Sequence, residues 1–392
     1  NSYSLTGQVF NLVTADGGVT WYGYEEVNNT LLQPSKVFVW GQNDDGQIAQ
    51  NNTTEYTSPV QAPGTTWEEV KTPVCGNDFV LMRKNDGAIW GWGNNEYGML
   101  GQSDQTRRSS PVQLPGTTWA LTAAGDQVAA VTNTSGELFT MGYNGWGNLG
   151  LNDLANYSSP KQIPGTTWPT SSEGEGRTPI KVGYSNEVVK TDGTLWCWGF
   201  NDRGQLGQNN RTNYSSPIQV GSDTTWSCVG GGYQSSFGIK TDGTLWAWGT
   251  GGHGQLGVNN LAKYSSPVQI PGSTWKSISQ GSASSDRIMA IKTDGTLWAW
   301  GSNTKGELAQ NNHDDGRSSP TQIPGTTWKM ASFGDNHAIA LKTDGTLWAW
   351  GNNQQGKLGQ GNKTSYSSPV QIPGTWTSTD AGYRWSLATQ ST

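Results

Sequence analysis

The strongest constraint in this chain is self-similarity. One pattern recurs seven times, so the fold must be assembled from seven like units. Trp-Gly ends an apolar stretch at Trp40, Trp92, Trp198, Trp248, Trp300 and Trp350, and Met141-Gly142 fills the slot once. Successive spacings are 52, 49, 57, 50, 52 and 50 residues. Each unit continues as G-x-N-x-x-G, with Asn43, Asn95, Asn144, Asn201, Asn303 and Asn353 in the Asn place and Gly251 as the exception. A Ser-Pro follows, its Pro 19 residues after the slot in six units and 20 in the other. A further Trp then closes every unit: Trp67, Trp119, Trp168, Trp226, Trp275, Trp328 and Trp376.

Within a unit the local chemistry is that of β-structure. Leu245-Trp246-Ala247-Trp248 and its sisters alternate large and small residues, which places both Trp on one face of a strand. Asp192-Gly193, Asp242-Gly243, Asp294-Gly295 and Asp344-Gly345 precede such strands. Asp-Gly between apolar runs predicts a hairpin, because the turn needs positive φ. Ile339-Ala340-Leu341 reads as a partner strand, and Pro115-Gly116, Pro271-Gly272 and Pro324-Gly325 read as turns. No stretch carries a capped 3.6-residue period, so almost no helix is expected.

Several short antiparallel strands per unit and seven units predict an all-β, seven-bladed β-propeller over residues 36–392. The last unit stops at Thr392, where its Asp-Gly turn would begin. Its missing strand is a copy of Leu-Trp-Ala-Trp-Gly, and Val37-Phe38-Val39-Trp40-Gly41 supplies one at the other end. The ring should therefore close by pairing N- and C-terminal strands in one blade, which removes free edges. Residues 1–34 are surplus to that count. Leu12–Gly23 looks like a degenerate hairpin copy, and the segment is expected to be a strap or docking arm rather than an eroded half-repeat.

Composition then sorts the functions. Charged residues are 14% of the chain, 24 basic against 30 acidic, so nothing favours nucleic acid or an anionic membrane. The apolar runs are too short for membrane insertion by a helix. Three scattered Cys and three scattered His offer no zinc site and no disulfide framework. Asn43-Asp44-Asp45 and His313-Asp314-Asp315 lack a calcium-loop pattern, so no metal and no cofactor are expected. No nucleophile motif or isolated carboxylate pair departs from the repeat, and no catalytic residue is assigned. Eighteen of the 21 Trp recur at fixed unit positions and read as core between blades. Burying each would remove roughly 150–250 Å² from water, on the order of 4–6 kcal/mol gross.

The repeat resembles that of the regulator-of-chromosome-condensation family. Asn201-Asp202-Arg203-Gly204-Gln205-Leu206-Gly207 and Gly334-Asp335-Asn336-His337-Ala338-Ile339-Ala340-Leu341 carry the likeness best. The WD dipeptide and the kelch Gly-Gly doublet are both missing. The resemblance implies a seven-bladed propeller and is closest in character to bacterial or phage secreted and structural members. Another branch of the type includes secreted bacterial proteins that inhibit β-lactamases. The family's name-giving member is an exchange factor for a small GTPase and binds chromatin. Here Arg107-Arg108 is the only pair of adjacent arginines, and the one candidate for an exchange wedge is the polar segment 169–177 in the longest unit.

Candidate interface residues follow from symmetry and its breaks. Tyr56, Arg108, Tyr157, Tyr214, Tyr264, Arg317 and Tyr366 lie three residues before each Pro and should form a ring on the disc. Tyr and Arg are enriched at interaction hot spots. The competing reading is inter-blade packing with a bonded Tyr hydroxyl. Trp146 and Trp21 sit off the repeat and are surface candidates. Glu173, Glu175 and Arg177 mark the inserted segment. The leading expectation is a non-enzymatic, extracellular or virion-surface disc that binds a protein partner or sits in a larger assembly. A carbohydrate-binding lectin comes second, and nucleotide exchange last.

Overall fold

The computed structural model describes residues 34–392 except 73, 117, 233 and 280–285. Ahead of them it describes the backbone of three strands, Ser2–Leu5, Gln8–Thr14 and Trp21–Glu25, which pair in order as an antiparallel meander. No helix occurs among the described residues.

Seven antiparallel sheets follow one another around a ring. Blades are numbered here from the one that holds Ser35–Gly41. In blade 7 the strands run, from the ring centre outward, Trp328–Phe333, His337–Lys342, Leu347–Gly351 and Tyr366–Ile372. Blades 3 to 6 repeat that order. Blade 2 has three full strands, and an isolated Cys75–Val80 bridge marks its inner edge. Blade 1 is composite: Ser378–Ala381 and Trp385–Ser391 from the C-terminus join Ser35–Gly41 and Tyr56–Gln61. Leu387 lies opposite Val39 in that pairing, so the two chain ends close the ring as expected.

The hairpin expectation holds with one refinement. Positive φ falls on the Gly alone, 78° at Gly193. Gly193 N–H donates to the Lys190 carbonyl and Lys190 N–H to the Thr194 carbonyl, both at 2.9 Å. The loop is therefore Thr-Asp-Gly, three residues with Gly in the left-handed position. Asp192 finishes it by accepting from Thr194 N–H and hydroxyl at 3.0 and 2.6 Å.

The slot Trp is a staple between blades. Its indole N–H donates to a backbone carbonyl in the preceding blade: Trp92 to Gln47, Trp198 to Asn148, Trp248 to Gln205, Trp300 to Gln255 and Trp350 to Glu307, at 2.6–2.9 Å. Trp40 reaches Lys357 at 2.9 Å and carries the same bond across the closure. All six rings are fully buried. Met141 fills the seventh slot, equally buried but with no N–H to give. The motif Asn is also structural. Asn201 accepts from Leu206 N–H and donates to the Asn210 and Thr212 carbonyls, tying its loop. The second motif Gly lets that loop touch the next blade, since a Cβ on Gly46 would lie 2.6 Å from Ser109 Cα.

At the blade 1–2 joint, buried Asp380 accepts from Val74 N–H, Cys75 N–H and the Ser332 hydroxyl at 2.8–3.1 Å. It holds the irregular inner edge of blade 2 in place. The three Cys are free and buried, and burial raises every thiol, Cys228 to about 12.

Candidate functional site

Antiparallel strands sort the connections onto two faces of the disc. The Asp-Gly hairpins and the Pro-Gly connections lie on one, the hairpin face. The turns between the first and second strands and the G-x-N-x-x-G loops lie on the other, the loop face. The hairpin face repeats itself. In five blades a Lys sits between two Trp: Lys190 lies 4.4 and 4.1 Å from the Trp168 and Trp196 centroids, and Lys84, Lys240, Lys292 and Lys342 lie within 4.9 Å of theirs. Blades 1 and 3 lose both partners together, with Phe38 and Gln390 in one and Phe139 and Asn133 in the other.

The loop face varies. Its Asn and Gly are fixed by the fold, and the x positions are free to differ. In units 2 to 4 those positions carry aromatics. Tyr97 and Tyr143 meet at 5.1 Å between centroids, Tyr143 and Trp146 at 5.4 Å, and Trp146 and Phe200 at 4.9 Å. Tyr184, from a first-to-second-strand turn, lies 5.1 Å from Trp146. All five rings are half-buried. Together they form one continuous row across blades 2, 3 and 4.

Beside the row lies a polar cavity of about 100 Å³, lined by Asn77, Asp78, Asn94, Glu96, Tyr97, Asp126 and Gln127 with Phe79 and Met99 beneath. Burial raises Asp78 to about 7, with Asp45, Asp126 and Asp44 adding to the rise and Arg384 opposing it. Burial raises Asp126 to about 6 against hydrogen bonds from Tyr184 and Asn77. Tyr184 thus joins row to cavity, its hydroxyl on Asp126 and its ring on Trp146. Arg107 pairs with Asp45 at 2.9 Å, and Asn94 donates to the same carboxylate at 3.1 Å.

Family models of the regulator of chromosome condensation (RCC1) repeat match residues 35–82, 86–131, 135–172, 192–239, 242–291 and 294–341, and a second RCC1-repeat model matches 278–307 and 331–357. The chain belongs to the RCC1-repeat family. It is 28% identical over 194 residues to the ultraviolet-B receptor UVR8 of Arabidopsis thaliana, 48% of this chain and 43% of that protein. It is 30% identical over 76 residues to the RCC2 homolog of Danio rerio, 19% of this chain and 15% of that one. The chain thus matches less than half the length of these curated relatives. Among solved structures, yeast RCC1 (Prp20) bound to Kap60 aligns over 91% of this chain and 89% of its own, with a TM-score of 0.77 and 18% identity. Human WBSCR16 aligns over 92% and 100%, with a TM-score of 0.76 and 19% identity. At that identity these structures speak for the fold alone.

Each RCC1 unit places its Tyr or Arg opposite the slot Gly, at the start of the outermost strand or, for Arg317, within it. These side chains reach back into their own loop. Asn52, Asn210 and Asn260 donate to the hydroxyls of Tyr56, Tyr214 and Tyr264 at 3.0–3.1 Å, and Tyr157 donates to Asp153 at 2.9 Å. Arg108 bonds Asp104 and Arg317 bonds Asp314, so an acid accompanies each Arg. Tyr366 occupies the same place beside Gly351. Each of the seven is half-buried at the rim.

Glu175 and Arg177 are held against the ring, whereas Glu173 is exposed and pairs with Arg177 of its own segment. The Ser172 hydroxyl donates to the Lys71 carbonyl at 2.8 Å, Lys276 bonds Glu175 at 2.8 Å, and Arg177 pairs with Glu173 and reaches the Ser227 hydroxyl at 3.2 Å. Gly176 and Thr178 line the central channel with Val70, Thr72 and Ile278. The segment braces blades 2, 4, 5 and 6 across the channel mouth. Trp21 opens a described strand, but its side chain lies outside the described residues. Trp385, unassigned by the repeat, takes the place of His337 and donates to the Asn77 carbonyl from a buried site. Sequence reasoning singled out Trp146 but passed over Tyr97, Tyr143, Tyr184 and Phe200. For Tyr97, Tyr143 and Phe200 the signal was present in the x positions of adjacent units.

Proposed function

We propose that this chain is a non-enzymatic protein-binding disc, displayed outside the cell or on a virion surface as part of a larger assembly. One observation carries the binding reading: side-chain variety is concentrated on the loop face of a ring whose other face repeats the same bonds blade after blade. A rigid scaffold with varied loops is how folds present recognition surfaces. Low charge and a surface rich in Ser, Thr, Asn and Gln support the location. Residues 1–34 would serve as the docking arm.

The test is a bulky-label scan. Because the native thiols are buried, single cysteines placed at Glu96 or Gln354 on the loop face, and at Asp242 or Asp344 on the hairpin face, can be labelled selectively. Labels on the loop face should block assembly with the native partner while those on the hairpin face do not. An inert monomer, or blocking from the hairpin face, would sink the reading. Half-exposed Trp146 favours a second reading, a carbohydrate platform, which a glycan array tests through binding lost in Trp146→Ala. Nucleotide exchange ranks last, because segment 169–177 is hydrogen-bonded into the channel mouth.

A further inference from the structure

We propose that the aromatic row Tyr97–Tyr143–Trp146–Phe200 and the carboxylate-lined cavity beside it form one subsite for a cationic side chain, the guanidinium or ammonium of a basic segment on the partner protein. The proposal rests on the protein-binding reading and names the chemistry of the partner.

The row is not demanded by the fold. The same x positions hold Gln42, Asp44 and Asp45 in unit 1 and Asn352, Gln354 and Gln355 in unit 7, with the loop geometry unchanged. A contiguous patch of five part-exposed rings marks an interaction surface. Aromatic π-faces beside carboxylates are a setting in which cations bind. Asp78, Glu96 and Asp126 line the cavity, Asp44, Asp45 and Arg384 act on Asp78 from beside it, and Arg107 acts on Asp45. Arg107 is mostly exposed and committed to Asp45. The excess is negative, and an arriving cation complements it.

Geometry separates this from a sugar site. A sugar uses the neutral acceptors Asn77, Asn94 and Gln127 as readily as the acids. Here the carboxylates crowd one another within the cavity, which is costly without a counter-charge. Asp78 faces Asp44, Asp45, Asp126, Arg384 and Gln47, while Asp126 faces Asn77 and Tyr184. A bound cation favours their ionised forms. Affinity should therefore rise as pH climbs through about 6 to 7, where Asp126 and Asp78 lose their protons.

The experiment titrates the intact chain with three short peptides of one design, bearing arginine, lysine or glutamate, and follows Trp fluorescence and heat. The basic peptides should bind and the acidic one should not, with affinity rising from pH 5.5 to 8. The Trp146→Ala and Asp78→Asn variants should each bind about tenfold more weakly, the loss of one charge-assisted or ring contact. Glu96→Gln, exposed and outside any core, should also weaken binding and guards against misfolding as the cause. Equal binding of acidic and basic peptides, or basic binding that these variants leave untouched, overturns the proposal. So does glycan binding with no charge dependence. If the label scan maps the partner to the loop face but no basic peptide binds the row, this proposal fails while the protein-binding reading stands.

Discussion

The two faces of the disc are made from the same seven units and behave as opposites. On the hairpin face, Lys, Thr, Asp, Gly and Trp recur with the same partners. Four Trp donate their indole N–H to a Thr hydroxyl two residues back, Trp196, Trp246, Trp298 and Trp348, all at 2.9–3.0 Å. In the G-x-N-x-x-G stretch of the loop face only Asn and Gly recur, and the residues between them change from acid to aromatic to amide around the ring. Repetition marks positions where a local bond closes each blade. Variation marks positions the fold leaves free, and the aromatic row lies entirely among these.

The contrast makes a ranked set of predictions. Trp248→Ala removes a fully buried ring and its staple, and should cost about 3–5 kcal/mol in chemical denaturation. Trp146→Ala should cost only about 1–2 kcal/mol, because its contacts are half-exposed ring pairs. Equal losses would break the distinction between staple and row. Next, Lys292→Met keeps the aliphatic stem but removes the charge from between Trp275 and Trp298. It should cost about 1 kcal/mol, read as a lowered unfolding midpoint. The fourth change runs the other way. Blade 2 carries Ala88 where the regular blades carry Thr, and the buried Trp90 N–H finds no acceptor there. Ala88→Thr should stabilise by about 1 kcal/mol. A neutral or destabilising result would show that the Thr–Trp bond of the other blades does not transfer.

The smallest effect is a pH slope from the loop face. Asp78 and Asp126 have folded pKa values above their unfolded ones. Between the unfolded value and the folded one, the folded chain therefore binds more protons, and stability falls as pH rises. The thermal midpoint should decline from pH 5 to 8, and Asp78→Asn should flatten that decline. A slope of the opposite sign would mean that other groups dominate the face.

Much of the fold was legible before any coordinates, and the reasons are local. Leu-Trp-Ala-Trp alternation, Asp-Gly and the leftover Val37–Gly41 strand each encode a bond between residues adjacent in sequence or equivalent in the repeat. The blade count and the closing pair followed directly. The refinements were also local, such as the three-residue turn at Gly193. The site was less legible. The seven rim residues stood out by symmetry and Trp146 by breaking it, but nothing in the repeat pattern set apart the carboxylates Asp78 and Asp126. Segment 169–177 read as a polar wedge candidate, because its anchors Lys71 and Lys276 each lie 101 residues from the group they bond.

The sequence alone determined the seven-part period, the hairpin in each blade and the seam that joins its ends, because hairpin hydrogen bonds connect near neighbours and repeat with them. Only the tertiary structure decided which variable residues become neighbours. Tyr97, Trp146 and Phe200 stand about one repeat apart along the chain. They become a single row only when blades pack side by side, since contacts between blades join equivalent positions of successive units rather than positions within one.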